Sequence, residues 1–202
     1  QVEDLRRNVE AIDWKAAEKR EREVRHDVMA HVHAYGLAAK KAAPIIHLGA
    51  TSYDIADNAD LILFRTALRL LVDKTAAVVL ALASFAKTHR SLPTLGLTHY
   101  QPAQPTTVGK RAALWAQDFA RALAEGERRA TELAARGVVG ATGTQASFLE
   151  LFGGDARKVD RLNRRMCARM GFGRCLPLAS QTYTRKLDSQ ILMALAGIGE
   201  SA

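Results

Sequence analysis

Apolar positions recur along this chain with helical spacing, and no segment sustains a period of two with β-branched enrichment. The pattern predicts an all-α chain. From Asp13, an N-cap by residue type, the positions Trp14, Ala17, Val24, Val28, Val32 and Tyr35 return close to every seven residues as one buried stripe, and Gly36 offers a stop. A second helix is predicted from about Asp54 to about Lys87, which at about 1.5 Å per residue is roughly 50 Å long. Its apolar residues, Leu61, Phe64, Leu68, Leu71, Val72, Val79, Leu82 and Phe85 among them, cover most of its circumference. So short a chain cannot cover such a helix alone, and burial by other copies in a bundle of long helices is expected. A third helix is predicted from near Thr106 to about Arg136, with Val108, Trp115, Phe119 and Leu123 on one face and Gly137 as its stop. Two shorter ones follow, near Asp155 to Met170 and near Tyr183 to the end, with glycine-marked loops at 137–143 and 171–177. The apolar run ILMALAGIG nears the last residue without a cap, as expected of a sequence cut short.

Composition narrows the classes. With 202 residues, 48% hydrophobic and 25% charged, the chain has an ordinary globular balance that argues against disorder. The longest near-continuous apolar run, Thr75 to Phe85, is too short to cross a bilayer and is closed by Lys87, His89 and Arg90. The opening Gln1-Val2-Glu3-Asp4-Leu5-Arg6-Arg7 is too charged for a signal peptide. Two cysteines, Cys167 and Cys175, support neither a disulfide framework nor a cysteine-rich metal site, so a cytoplasmic protein is the simplest expectation. The 29 basic and 21 acidic residues leave a formal charge of +8. The basic residues (Arg20, Arg22, Arg25; Arg128, Arg129; Arg161, Arg164, Arg165) are spread along helices without aromatic interleaving, which speaks against nucleic-acid binding and for solvated faces with partners such as Glu18 for Arg22.

Four polar clusters remain: Arg25-His26-Asp27, Thr51-Ser52-Tyr53-Asp54, Thr98-His99, and Gln181-Thr182-Tyr183-Thr184-Arg185-Lys186. The segment Thr98-His99-Tyr100-Gln101-Pro102-Ala103-Gln104-Pro105 lies at a chain reversal between a loop and a long helix, where a histidine can reach a cleft and exchange a proton near neutrality. Arg25, His26 and Asp27 fall away from the Val24, Val28, Val32 stripe and read equally as a solvated face. Thr51, Ser52 and Asp54 precede a long helix, so a capping role is expected for at least one of them. Helix-start amides with two hydroxyls also form a ready carboxylate site, and both roles can hold at once.

The strings RHDVMAHVHAYG, IIHLGATSYDIADNADL, THYQPAQPTTVGKR, GATGTQASFLELF and SQTYTRKLD, in this order, resemble the adenylosuccinate lyases, a family of the fumarase and aspartase superfamily. The TSxD and THxQxAxP elements fit the superfamily broadly, whereas RHDVMAH, TGTQASF and QTYTRK point to this family. The resemblance implies an all-α, long-helix bundle fold and cleavage of a C–N bond by β-elimination. Fumarate would leave adenylosuccinate to give AMP, and would leave the succinyl-carboxamide ribotide of purine synthesis, with no metal or organic cofactor. It implies His99 as the general acid to the leaving nitrogen and His26 as a second active-site histidine. Arg25 and Asp27 would stand beside it in the binding segment, with Thr51 and Ser52 on a succinyl carboxylate, and Thr98 and Gln181 among the substrate-binding residues. His31, His33, His47 and His89 are left structural.

The same resemblance implies a homotetramer whose active sites draw residues from three subunits, acting on a small anionic nucleotide, with no nucleic-acid or membrane partner. Residues 1–50 would end a first helical domain and residues 51–202 would form the larger part of the central bundle. The family's base, a serine on a loop like SSxMPxKxN, has no match here, and Ser147 and Ser180 do not replace it. A chain of these residues alone is therefore expected to be inactive, a helical assembly module. Two further readings are another fumarate-releasing lyase, such as one acting on argininosuccinate, and polyanion binding driven by the positive charge, which salt would weaken steeply.

Overall fold

The computed structural model describes residues 1–202. Helix dominates, in the order α1 (Val2–Arg7), α2 (Trp14–Val24), α3 (Asp27–Ala38), a single 3-10 turn (Ala43–Ile45), α4 (Ser52–Thr88), a hairpin β1 (Pro93–Thr98) and β2 (Gln101–Thr107), α5 (Val108–Glu132), α6 (Ala146–Leu151), α7 (Ala156–Arg169) and α8 (Lys186–Glu200). No helix is long and apolar enough to cross a membrane. The chain divides into two compact units, residues 1–62 with 134–184 and residues 63–133 with 185–202, and α4 runs from one into the other.

In the first unit Asp13 caps α2 as expected, its carboxylate accepting from Ala16 N at 3.0 Å. The single helix predicted beyond it is instead two. Arg25 takes a left-handed conformation (φ 52°) and closes α2 by donating its amide to Glu21 O, while His26 is extended and begins α3. The apolar spacing misled because each half buries its own small residues, Ala17 on α2 and Ala30 and Ala34 on α3, whereas Trp14 and Val24 remain exposed. Gly36 is no stop: it lies inside α3, where a side chain would meet Ala43.

The core of this unit gathers Val138, Phe148 and Val159, with Ala50, Phe152, Leu162 and Met166 packed against them. Asp155 caps α7 through Arg157 N and Lys158 N. Residues 134–140 are buried without being helical, so their polar groups need partners. Ala135 finds them by bridging to the 174–176 segment, donating to Arg174 O and accepting from Leu176 N. That pairing carries Cys175 to the end of α7, and Cys167 and Cys175 form a disulfide across Cα atoms 6.0 Å apart. The two cysteines thus do form a cross-link, a single one closing a short loop.

In the second unit α5 starts at Val108, two residues beyond the expected position, with Thr107 as N-cap accepting from Lys110 N at 3.1 Å. Its first amides, which no helix can satisfy internally, donate to Leu92 O and His89 O just past α4. α5 ends at Glu132, four residues before Arg136. α8 packs against it, and Arg129 donates to Gln190 Oε1 at 2.9 Å. The hairpin was not expected. Its register runs from Pro93↔Thr107 to Thr98↔Gln101, with a bulge after Gly96 that leaves Ala103 unpaired. Along α4, Leu63, Leu70, Val78, Leu80 and Phe85 are exposed, as the excess of apolar surface predicted.

Candidate functional site

The chain break between α2 and α3 puts His26 where its ring can work in two directions. As N-cap of α3 its Nδ1 accepts from Met29 N at 3.4 Å, and its Nε2 stands 3.0 Å from Ser52 Oγ. With Nδ1 accepting, the ring proton sits on Nε2 and is donated to Ser52. The hydroxyl hydrogen of Ser52 is then free for an oxygen of a bound molecule. Asp27 Oδ1 lies 3.5 Å from Nδ1. Arg25 and Asp27 are exposed beside it, so the structure brings the first two predicted clusters together.

Thr51 and Ser52 open α4. The capping group is Asp54: its Oδ2 accepts from Thr51 N at 2.8 Å, the backward half of a capping box with an acid in the third helical position. Asp54 is 3% exposed, and its carboxylate also accepts from Val139 N (2.9 Å) and Gly140 N (3.3 Å) and pairs with Nη1 of the fully buried Arg136. Arg136 Nη2 donates to three carbonyls: Gly140 (3.2 Å), Ser180 (2.9 Å) and Gln181 (2.6 Å). Asp57 Oδ2 accepts from Tyr183 N at 2.7 Å and lies 3.6 Å from Arg136 Nε. Asn58 exchanges hydrogen bonds with the backbone of Gly137. Gln181, exposed, is thereby tied by its main chain to the start of α4.

Sequence reading missed Arg136, Asp57 and Asn58, and assigned Asp54 only to capping. Their signal was weak, because a charged residue beside a glycine or a polar residue within a helix reads as a helix end or a solvated position until its partners, 44 to 126 residues away, are known.

Thr98 and His99 belong to the second unit, at the tip of the β1–β2 hairpin. His99 (φ 50°) and Tyr100 (φ 60°) both occupy the left-handed region, the geometry of a two-residue I′ turn usually given to Asn-Gly. Residues with side chains hold such a conformation at a cost of about 1–3 kcal/mol each and are typical of functional positions. Both are exposed, Tyr100 completely. His47 is strained too (φ 66°), and its Nε2 is buried without a hydrogen-bond partner beside an apolar cavity of about 380 Å³ lined by Ile12, Val28, Val32 and Ile46.

Comparison with known proteins adds a second line of evidence. The family described as Lyase matches residues 3–154. The adenylosuccinate lyase of Schizosaccharomyces pombe is 48% identical over the whole chain and that of Saccharomyces cerevisiae 47%, and the chain spans 42% of the length of each. Among solved structures, a fumarate lyase from Mesorhizobium sp. BNC1 superposes with a TM-score of 0.81 at 28% identity, covering 94% of this chain and 43% of that one. A beta-carboxy-cis,cis-muconate cycloisomerase from Acinetobacter calcoaceticus sp. ADP1 gives 0.80 at 24% identity, covering 96% and 44%, a likeness of fold.

Proposed function

Because the chain belongs to the lyase family, we propose that it serves as the corresponding part of an adenylosuccinate lyase, a protein that eliminates fumarate from adenylosuccinate and from the succinyl-carboxamide ribotide of purine synthesis. The observation that carries this reading is the near-half identity to adenylosuccinate lyases along the entire chain. The hydrogen bond from His26 to Ser52 supports it from the side of geometry.

In the elimination a base removes a proton from the carbon beside a carboxylate, the C–N bond breaks, a C=C bond forms, and the departing nitrogen takes up a proton. His99 is the donor of that last proton. Thr51 and Ser52 hold a succinyl carboxylate, with His26 orienting the Ser52 hydroxyl and helping to polarise the substrate. Arg25 and Asp27 complete that segment, and Thr98 and Gln181 contact the substrate. The base is supplied by a serine outside these residues. No metal or organic cofactor takes part.

The working form is a cytoplasmic homotetramer with sites shared between subunits, in which residues 1–50 end a first domain and residues 51–202 belong to the central bundle. The exposed apolar residues of α4 support that assembly.

The test is fumarate release from adenylosuccinate by the complete protein beside its His99→Ala variant. Activity in the parent that falls about 10²-fold or more in the variant is the expected result. An inactive parent overturns the functional reading, and an unimpaired variant overturns the role of His99. For the separate reading in which residues 1–202 act as an assembly module, the same residues expressed alone should associate without turnover.

A further inference from the structure

Arg136 is an odd choice for the centre of a core. It is fully buried, faces two carboxylates, Asp54 and Asp57, themselves at most 3% exposed, and spends one nitrogen on three main-chain carbonyls. Buried ion clusters of this kind are weak sources of stability, because desolvation consumes most of the Coulombic gain and apolar residues of similar volume often hold a core as well. What such a cluster does supply is fixed geometry, since each fork of a guanidinium admits few arrangements.

The geometry fixed here is specific. Through Asp54, Arg136 is linked to the amide of Thr51 at the start of α4; through Nη2 it holds the carbonyls of Ser180 and Gln181. One side chain therefore sets the distance between the Thr51-Ser52 hydroxyl pair and the segment carrying the Gln181 amide. The Nε atom, 3.6 Å from Asp57 Oδ2, is too far for a hydrogen bond, so the carbonyls and Asp54 determine its placement.

We propose that Arg136, acting with Asp54, is a positioning residue that presets the gap between Thr51-Ser52 and Gln181 for a small dicarboxylate, the fumaryl part of the substrate. This rests on the proposed function for the identity of that ligand. Arg136 never touches it. Lysine cannot replace it, because an ammonium on a flexible stem cannot span Asp54 and three carbonyls in one plane.

The test uses the complete protein as wild type, Arg136→Lys and Asp54→Asn, with secondary structure and unfolding midpoint checked first. Fumarate affinity is read by calorimetry, and KM and kcat are read with adenylosuccinate. A positioning role predicts fumarate binding weakened about tenfold or more and KM raised to match, with kcat changed much less, as for lost uniform binding. A structural role lowers the active fraction and hence kcat, while KM and the affinity of the folded fraction stay put, and that result overturns the inference. Should Arg136→Lys fail to fold, Asp54→Asn carries the same reading. A wild type that binds fumarate without turning over either succinyl substrate, with both variants binding it weakly, sinks the functional reading and leaves the inference standing. A wild type that binds no fumarate overturns the inference.

Discussion

His26 shows how much one side chain can settle when its two nitrogens have different partners. Capping α3 with Nδ1 fixes the tautomer, and the tautomer makes Ser52 an acceptor from the ring and a donor outward. Ser52→Ala should therefore cost binding rather than folding. A KM about tenfold higher, with a smaller drop in kcat and little change in unfolding midpoint, is the expected outcome of steady-state kinetics and thermal melts on the complete protein. An unchanged KM would show that the Ser52 hydroxyl is not presented to substrate. The residues of this corner were legible in sequence because they sit in short strings with local meaning, a histidine between two charges and two hydroxyls before a helix. Arg136 was not, since its meaning lies in partners brought together only by the fold.

Elements were legible where periodicity is long and capped. α4 and α7 came out within about two residues of their predicted ends, a usual boundary error. The hairpin was hidden for a physical reason: in β1 the half-buried positions are Thr94 and Gly96, while Leu95 and Leu97 are exposed, the inverse of the usual hydropathy alternation. Prolines at 93, 102 and 105 weaken the strand signal further, yet a two-stranded ribbon has free edges on both sides that tolerate them. Between α4 and α5 the approach is set by Gly109. A Cβ there would collide with Ala86 O and lie 2.7 Å from Arg90 Cα, both backbone atoms that cannot swing aside. Alanine is normally better than glycine in a helix by about 1 kcal/mol. Here the clash, typically about 1–3 kcal/mol for overpacking, should reverse the sign. Gly109→Ala is predicted to lower stability in urea unfolding, and a stabilised variant would mean that α5 can shift away without loss.

At the scale of the whole molecule the issue is what covers the apolar residues that one chain leaves in water. Leu63 is 65% exposed, Leu70 57% and Leu80 71%, at intervals of seven and ten residues along one helix. At about 100° per residue Leu70 lies about 20° round from Leu63 and Leu80 about 80° further in the same direction, so the three form one broad exposed flank of α4, a surface that a neighbouring long helix can cover. Burying a leucine is worth about 1.5–3 kcal/mol, and in the proposed tetramer each position recurs four times, so covering this flank favours assembly. A charge placed on it must be desolvated opposite an apolar neighbour, which costs more than the leucine contributed. Leu70→Glu with Leu80→Glu in the complete protein is therefore expected to shift the mass by light scattering from tetramer toward smaller species while helix content is retained. Because the proposed active sites combine residues from different subunits, turnover should fall with the tetramer fraction across a dilution series. Retention of full tetramer mass would move the interface off this face of α4, and full activity in dissociated chains would show that one subunit carries a whole site.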